Sequence, residues 1–265
     1  MKPIIRWTLW QRRWSTLWWV SAIVALVAVV LAFYPPFRDQ ASQIDKTITQ
    51  QIPQAARAFI SDTQGILTPV GYLSSQIYYL VLPMILSILA IGLGSSLIAG
   101  EEQAGTIELL LSRPLSRSRL LAGKAVAGVV IVTAAALASL VTALVIVPLV
   151  KLPVGTPELI MTTLACLLLA LAYGAIALLV TMYSSSRGAS IGVAAAVAVG
   201  GYIISSLATV ATWLKWPARF TPFHYYHPAD MLNGRYSGTD LGILMAIIVV
   251  CGVVSVLVFR KRDIS

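Results

Sequence analysis

Charge is scarce: Lys, Arg, Asp and Glu make up 11% of the 265 residues, against roughly a quarter in a soluble domain. With 58% hydrophobic residues and a mean hydropathy of +0.85, this shortage excludes an ordinary soluble globule and a disordered chain alike. Cysteine is nearly absent. Cys166 and Cys251 both lie in apolar runs, which excludes the staple framework of a small secreted domain and gives no sign of redox chemistry. The only histidines, His224 and His227, stand three apart between Pro222 and Pro228 with no cysteine to join them, a poor basis for a metal site. A phosphate-binding loop is missing too. The lone Gly-Lys pair, Gly123-Lys124, is followed by Ala125 and has Ser118 where the first glycine should be, so the chain cannot power itself with ATP.

What is there is apolar length. A helix needs roughly 20 apolar residues to cross the hydrocarbon core, and six windows qualify: Leu17 to Tyr34, Tyr78 to Ala99, Ala125 to Val150, Leu159 to Met182, Ala189 to Leu214 and Leu241 to Phe259. The expected fold is therefore an all-α integral membrane domain of six transmembrane helices over residues 1–265, multi-pass in the plasma or inner membrane. All the basic and acidic residues lie outside the windows. An ion-coupled carrier or an intramembrane enzyme needs ionisable groups at depth, and these spans offer none.

Twelve of the 19 Lys and Arg fall on one side of the alternating segments, which by the positive-inside rule makes both termini cytoplasmic. The basic balance is thus topology, and no nucleic-acid partner is expected, because no basic stripe interleaves with stacking aromatics. Although basic residues precede the first window, it is too long for a signal peptide and ends in Phe33-Tyr34-Pro35-Pro36, so a retained helix is expected. Trp7, Trp10, Trp14 and Trp18 share a helical face within and just beyond residues 1–16. With Lys2, Arg6, Arg12 and Arg13 projecting elsewhere, this predicts a helix lying in the cytoplasmic interface of the lipid bilayer.

Across the membrane, residues 35–77 form the longest polar stretch, in which Ile44, Ile48 and Ile52 and then Ala56, Phe59 and Ile60 predict two short amphipathic helices. The second outer loop, 215–240, holds Trp216, Phe220, Phe223, Tyr225, Tyr226 and Tyr236, expected at headgroup level. Gly192, Ala196 and Gly200 give the fifth helix a small-residue face, and Gly92 and Gly94 give the second a weaker one. Such faces let another helix approach closely, from the same chain or from a second one. Pro83 is positioned to kink the second helix.

Charge is concentrated in residues 100–124, where Glu101, Glu102 and Glu108 precede Arg113, Arg117, Arg119 and Lys124. Thr106 to Leu111 reads as a short helix, Pro114 stops it, and Ser116 or Ser118 can cap the third span. The full run Ala99-Gly-Glu-Glu-Gln-Ala-Gly-Thr-Ile-Glu-Leu-Leu-Leu-Ser-Arg-Pro-Leu-Ser-Arg-Ser-Arg-Leu-Leu-Ala-Gly-Lys124 resembles the signature of ABC-2 type permeases, the membrane subunits of one class of ATP-binding-cassette exporters. Thr68-Pro69-Val70-Gly71-Tyr72-Leu73 resembles that family's outer loop, with Val70 where glutamate is more usual.

The resemblance implies that Glu101, Glu102, Gly105, Thr106 and Glu108, with Arg113 and Arg117, meet a separate cytoplasmic ATPase beside the tryptophan-bearing helix. It implies ATP and magnesium on that partner and no cofactor on this chain. It also implies a second permease, identical or related, against the second and fifth helices, where Gly92, Gly94, Gly192, Ala196 and Gly200 would pack. Spans walled by Leu, Val, Ala, Ser, Thr and Tyr further point to an amphipathic or hydrophobic cargo. The competing reading is a membrane scaffold or immunity protein that transports nothing; a co-purifying ATPase separates the two.

Overall fold

The computed structural model describes residues 2–36, 68–97, 116–184 and 186–261. Among them every regular element is helical: α1 (Lys2–Gln11), α2 (Arg13–Ala32), α3 (Pro69–Leu73), α4 (Val81–Ser96), α5 (Arg117–Leu149), α6 (Thr156–Ser184), α7 (Arg187–Leu207), α8 (Lys215–Ala218), α9 (Pro228–Leu232) and α10 (Gly238–Lys261). Six spans are long and apolar enough to cross a membrane: α2, α3 running on into α4, α5, α6, α7 and α10. The protein is an all-α, multi-pass membrane protein.

Two helices outrun their apolar windows because polar residues at their ends still favour helix. The second span starts at Pro69, where the Thr68 hydroxyl accepts the Gly71 N–H at 2.9 Å and proline takes the first turn, the arrangement that satisfies a helix start. The third span starts at Arg117, so Lys124 lies two turns inside it and is buried. The amphipathic helices expected at Ile44 to Ile52 and Ala56 to Ile60 fall outside the described residues.

The second span is not one regular helix. Ser74–Tyr78 forms a π turn in which the Tyr79 N–H donates to the Ser74 carbonyl at 2.7 Å, and α4 resumes at Val81. Pro83 lacks the N–H that would reach the Tyr79 carbonyl in an α-helix, which accounts for the break one turn before it. The irregularity near Pro83 is thus a change of helical type.

At the centre, α6 packs against α4, α10, α7 and α5, while α2 lies along α5. The α4 and α6 spans are 67% and 56% buried, against 17% for α2 and 11% for α10, so the fold has an inner pair and an outer ring. Glycine sets the inner spacing. A Cβ on Gly94 would overlap the Gly174 carbonyl, and one on Gly174 would sit 3.0 Å from Ala90 Cβ. Ala90/Gly94 and Ala170/Gly174 thus make matched small-residue steps that let the two backbones touch. Gly94, expected at a contact with a second permease, is occupied within its own chain.

Candidate functional site

At the end carrying both termini, Leu121, Leu178, Met182 and Phe259 gather the start of α5 and the ends of α6 and α10. Here the chain passes from Leu97, the C-cap of α4, to Ser116, the N-cap of α5. Glu101, Glu102, Gly105, Thr106, Glu108 and Arg113 lie outside the described residues, and Arg117 opens α5 through its backbone. Ser116 has N-cap dihedrals, but its side chain makes no capping bond; its hydroxyl lies 3.4 Å from that of Ser118. The expected side-chain cap is therefore replaced by bonds from the Arg119 and Leu120 N–H groups to the Ser116 carbonyl.

Two cations hold the end of α4. The Lys124 ammonium, buried inside α5, donates to the Leu97 carbonyl at 3.0 Å. The Arg12 guanidinium, at the step between α1 and α2, donates to Ser96 Oγ at 2.8 Å. A helix C-terminus carries unsatisfied carbonyls and partial negative charge, which is why lysine and arginine are the donors found here. Gly123 completes the junction: a Cβ there would come within 3.1 Å of Ile4, so α1 lies directly against α5. The end of α4, α1 with the step after it, and the first turns of α5 are thus joined where they meet.

The tryptophan face is real and points away from the core. Trp7, Trp10, Trp14 and Trp18 are between 55% and 75% exposed, and Trp7 stacks on Trp10 at 5.7 Å. Not all the basic residues oppose this face. Arg13 lies over the Trp10 ring at 4.5 Å and near that of Trp14 at 5.9 Å, a cation–π contact that suits guanidinium on indole. Arg12 turns inward to α4.

The outward stripe on α7 is open. A Cβ on Gly192, Gly200 or Gly92 would meet no atom within 4 Å, and Ala196 is exposed. Beside it, α4 and α7 bound an apolar groove of about 270 Å³ with Met84, Ile88, Ala195, Val199 and Tyr202 in its walls and Phe223 at one end.

The far end differs from expectation. Phe223 and Tyr226, expected among headgroups, are buried. Phe223 meets Tyr202, Tyr226 and Tyr79 edge to face at 5.2, 5.8 and 6.0 Å. The Tyr226 hydroxyl donates to the Tyr78 carbonyl at 2.6 Å, at the π turn where α-helical bonding lapses. Burial pushes the Tyr226 phenol well above its ordinary pKa, so it remains a neutral donor. Trp216 and Phe220 do stay exposed, as headgroup-level residues should. His227 Nδ1 faces Asp240 at 3.8 Å, and its ring lies 6.1 Å from that of His224.

Six apolar spans, with Lys124 and Arg12 joining the end of the second to the third and to the N-terminal helix, are the frame of a multi-pass membrane subunit of permease type. Residues 10–264 match the family model for ABC-2 family transporter protein. The chain belongs to that family, whose members are membrane subunits, not themselves catalytic, that normally work with a cytoplasmic ABC ATPase. No curated protein was found to match it.

Proposed function

We propose that this chain is the permease subunit of an exporter that moves an amphipathic or hydrophobic substrate across the plasma membrane, driven by ATP hydrolysed on a separate cytoplasmic ATPase. ATP and magnesium belong to that partner. The observation that carries this reading is the cationic bracket, Lys124 on the Leu97 carbonyl and Arg12 on Ser96, which ties the end of α4, from which segment 98–115 departs, to α5 and to the α1–α2 step. A push on the segment is delivered through those bonds into α4, and α4 is seated on α6 by Gly94 and Gly174. A rigid pair with one actuated end is a two-state element that a partner can bias.

In this reading Glu101, Glu102, Gly105, Thr106, Glu108, Arg113 and Arg117 meet the ATPase. The open stripe of Gly192, Ala196 and Gly200, with Gly92 near it, faces a second permease. Spans free of charge in their middles require energy from outside the chain. The test is charge reversal at Glu101 and Glu102 in a preparation that co-purifies with its ATPase. Substrate-stimulated ATPase activity or recovery of the partner should fall by about tenfold, the loss of one or two charge-assisted contacts. Unchanged values of both would overturn the interface, and no co-purifying ATPase under any condition would favour the scaffold reading.

A further inference from the structure

At the end opposite the termini lies a cavity of about 310 Å³ whose wall includes Lys215, Arg219, His224, His227, Ser205 and Thr209. No carboxylate lies within ion-pair distance of Lys215 or Arg219 among the described residues, and Asp240 stands by His227. The cavity is firmly built. The Tyr225 hydroxyl donates to the Arg219 carbonyl at 2.7 Å, and Ser205 and Thr221 pair through their hydroxyls at 2.9 Å. Two cations in one wall, with no carboxylate at ion-pair distance among the described residues, beside two imidazoles and two hydroxyls, match the oxygens of a phosphate or similar oxyanion.

The cavity does not stand alone. Phe223 is a wall of it and also of the apolar groove between α4 and α7. A basic compartment and an alkyl-lined compartment thus share one aromatic partition, with the basic one at the membrane surface and the apolar one along the spans. We infer that the pair is a single binding site for an anionic amphiphile, its phosphate-like head held by Lys215 and Arg219 and its alkyl chain lying on Met84, Ile88, Ala195 and Val199. As a cargo site at the exit face this rests on the permease reading, but binding itself needs no ATPase. A failure here therefore leaves that reading standing, and a failure of ATPase co-purification leaves this site standing.

The test uses the purified full chain in a neutral maltoside detergent, with binding read by native mass spectrometry. Dodecyl phosphate should saturate at one per chain and bind at least about tenfold more tightly than inorganic phosphate or dodecyltrimethylammonium. Lys215→Gln with Arg219→Gln should weaken dodecyl phosphate by about tenfold or more, while Lys215→Arg with Arg219→Lys retains it. Retention in the charge-conserving variant separates lost chemistry from lost folding. Equal binding of the cationic amphiphile, or no effect of the glutamine pair, would overturn the head site. Inorganic phosphate binding as tightly as dodecyl phosphate would overturn the tail site, leaving a bare anion pocket in place of the one inferred.

Discussion

The two ends of α4 meet one physical problem with different donors. At the terminal end, the Leu97 carbonyl, orphaned by the end of α4, receives the Lys124 ammonium. At the far end, the Tyr78 carbonyl, beside the π turn, receives the Tyr226 phenol. Within a bilayer a carbonyl without a donor is costly, so some side chain must be supplied at each break. The difference is charge. A buried cation needs compensating negative charge, such as the carbonyls of a helix C-terminus, whereas a neutral phenol can be enclosed with a single acceptor. In the proposed function the charged end is the one that answers a partner and the neutral end is the fixed anchor.

Lys124→Met tests the charged end and should have the largest effect. It removes a charge-assisted bond to a buried carbonyl, a loss of about 2 kcal/mol, read as a lower thermal midpoint in detergent. ATPase coupling should fall with it. A variant with normal coupling would show that α4 is not actuated through this bond. Tyr226→Phe tests the neutral end and should lower stability by about 1 kcal/mol, since one neutral hydrogen bond is lost while the ring stays packed. Coupling per folded molecule should be retained. Loss of coupling at both ends in equal measure would erase the distinction between lever and anchor.

What could be read from the sequence follows the same division. The six spans were legible because hydrocarbon thickness imposes length and apolarity on contiguous residues, whereas the helix start at Thr68-Pro69 was not, since polar Ser74, Ser75 and Gln76 keep hydropathy from extending the second window before Tyr78. Contacts between distant pieces were not. Gly174 carries the same small-residue spacing as Gly94, but nothing in either helix says that they face each other. Lys124 ends an apolar window without ending the helix, so hydropathy alone places it outside. Phe223 and Tyr226 have the composition of headgroup residues and differ from Trp216 and Phe220 only in which way the loop folds. The cavity draws on residues from α7, α8 and the turn after it, which no single window displays together.

The smallest effect is expected from His224, and it sharpens the electrostatic side of the comparison. Its pKa lies below the ordinary 6.5, chiefly because of desolvation, with His227 and Arg219 adding in the same direction and Asp240 opposing; Lys215 shares the cavity wall. The unfolded chain therefore binds more protons at this position than the folded one once pH drops below about 6.5, the unperturbed value for histidine. The associated stability is intact above that pH and is lost as pH falls through the interval down to the folded value. A scan of thermal midpoint from about pH 7.5 to 5.5, a window chosen around the histidine range, should decline at the acid end, and His224→Gln should flatten the decline. Because the chain has only two histidines, comparison with that variant isolates the contribution. An oxyanion held by Lys215 and Arg219 favours the imidazolium, so bound dodecyl phosphate should raise the His224 pKa and flatten the acid-side decline. A decline unaltered by both the substitution and the amphiphile would mean that His224 senses neither the cavity's cations nor its occupant.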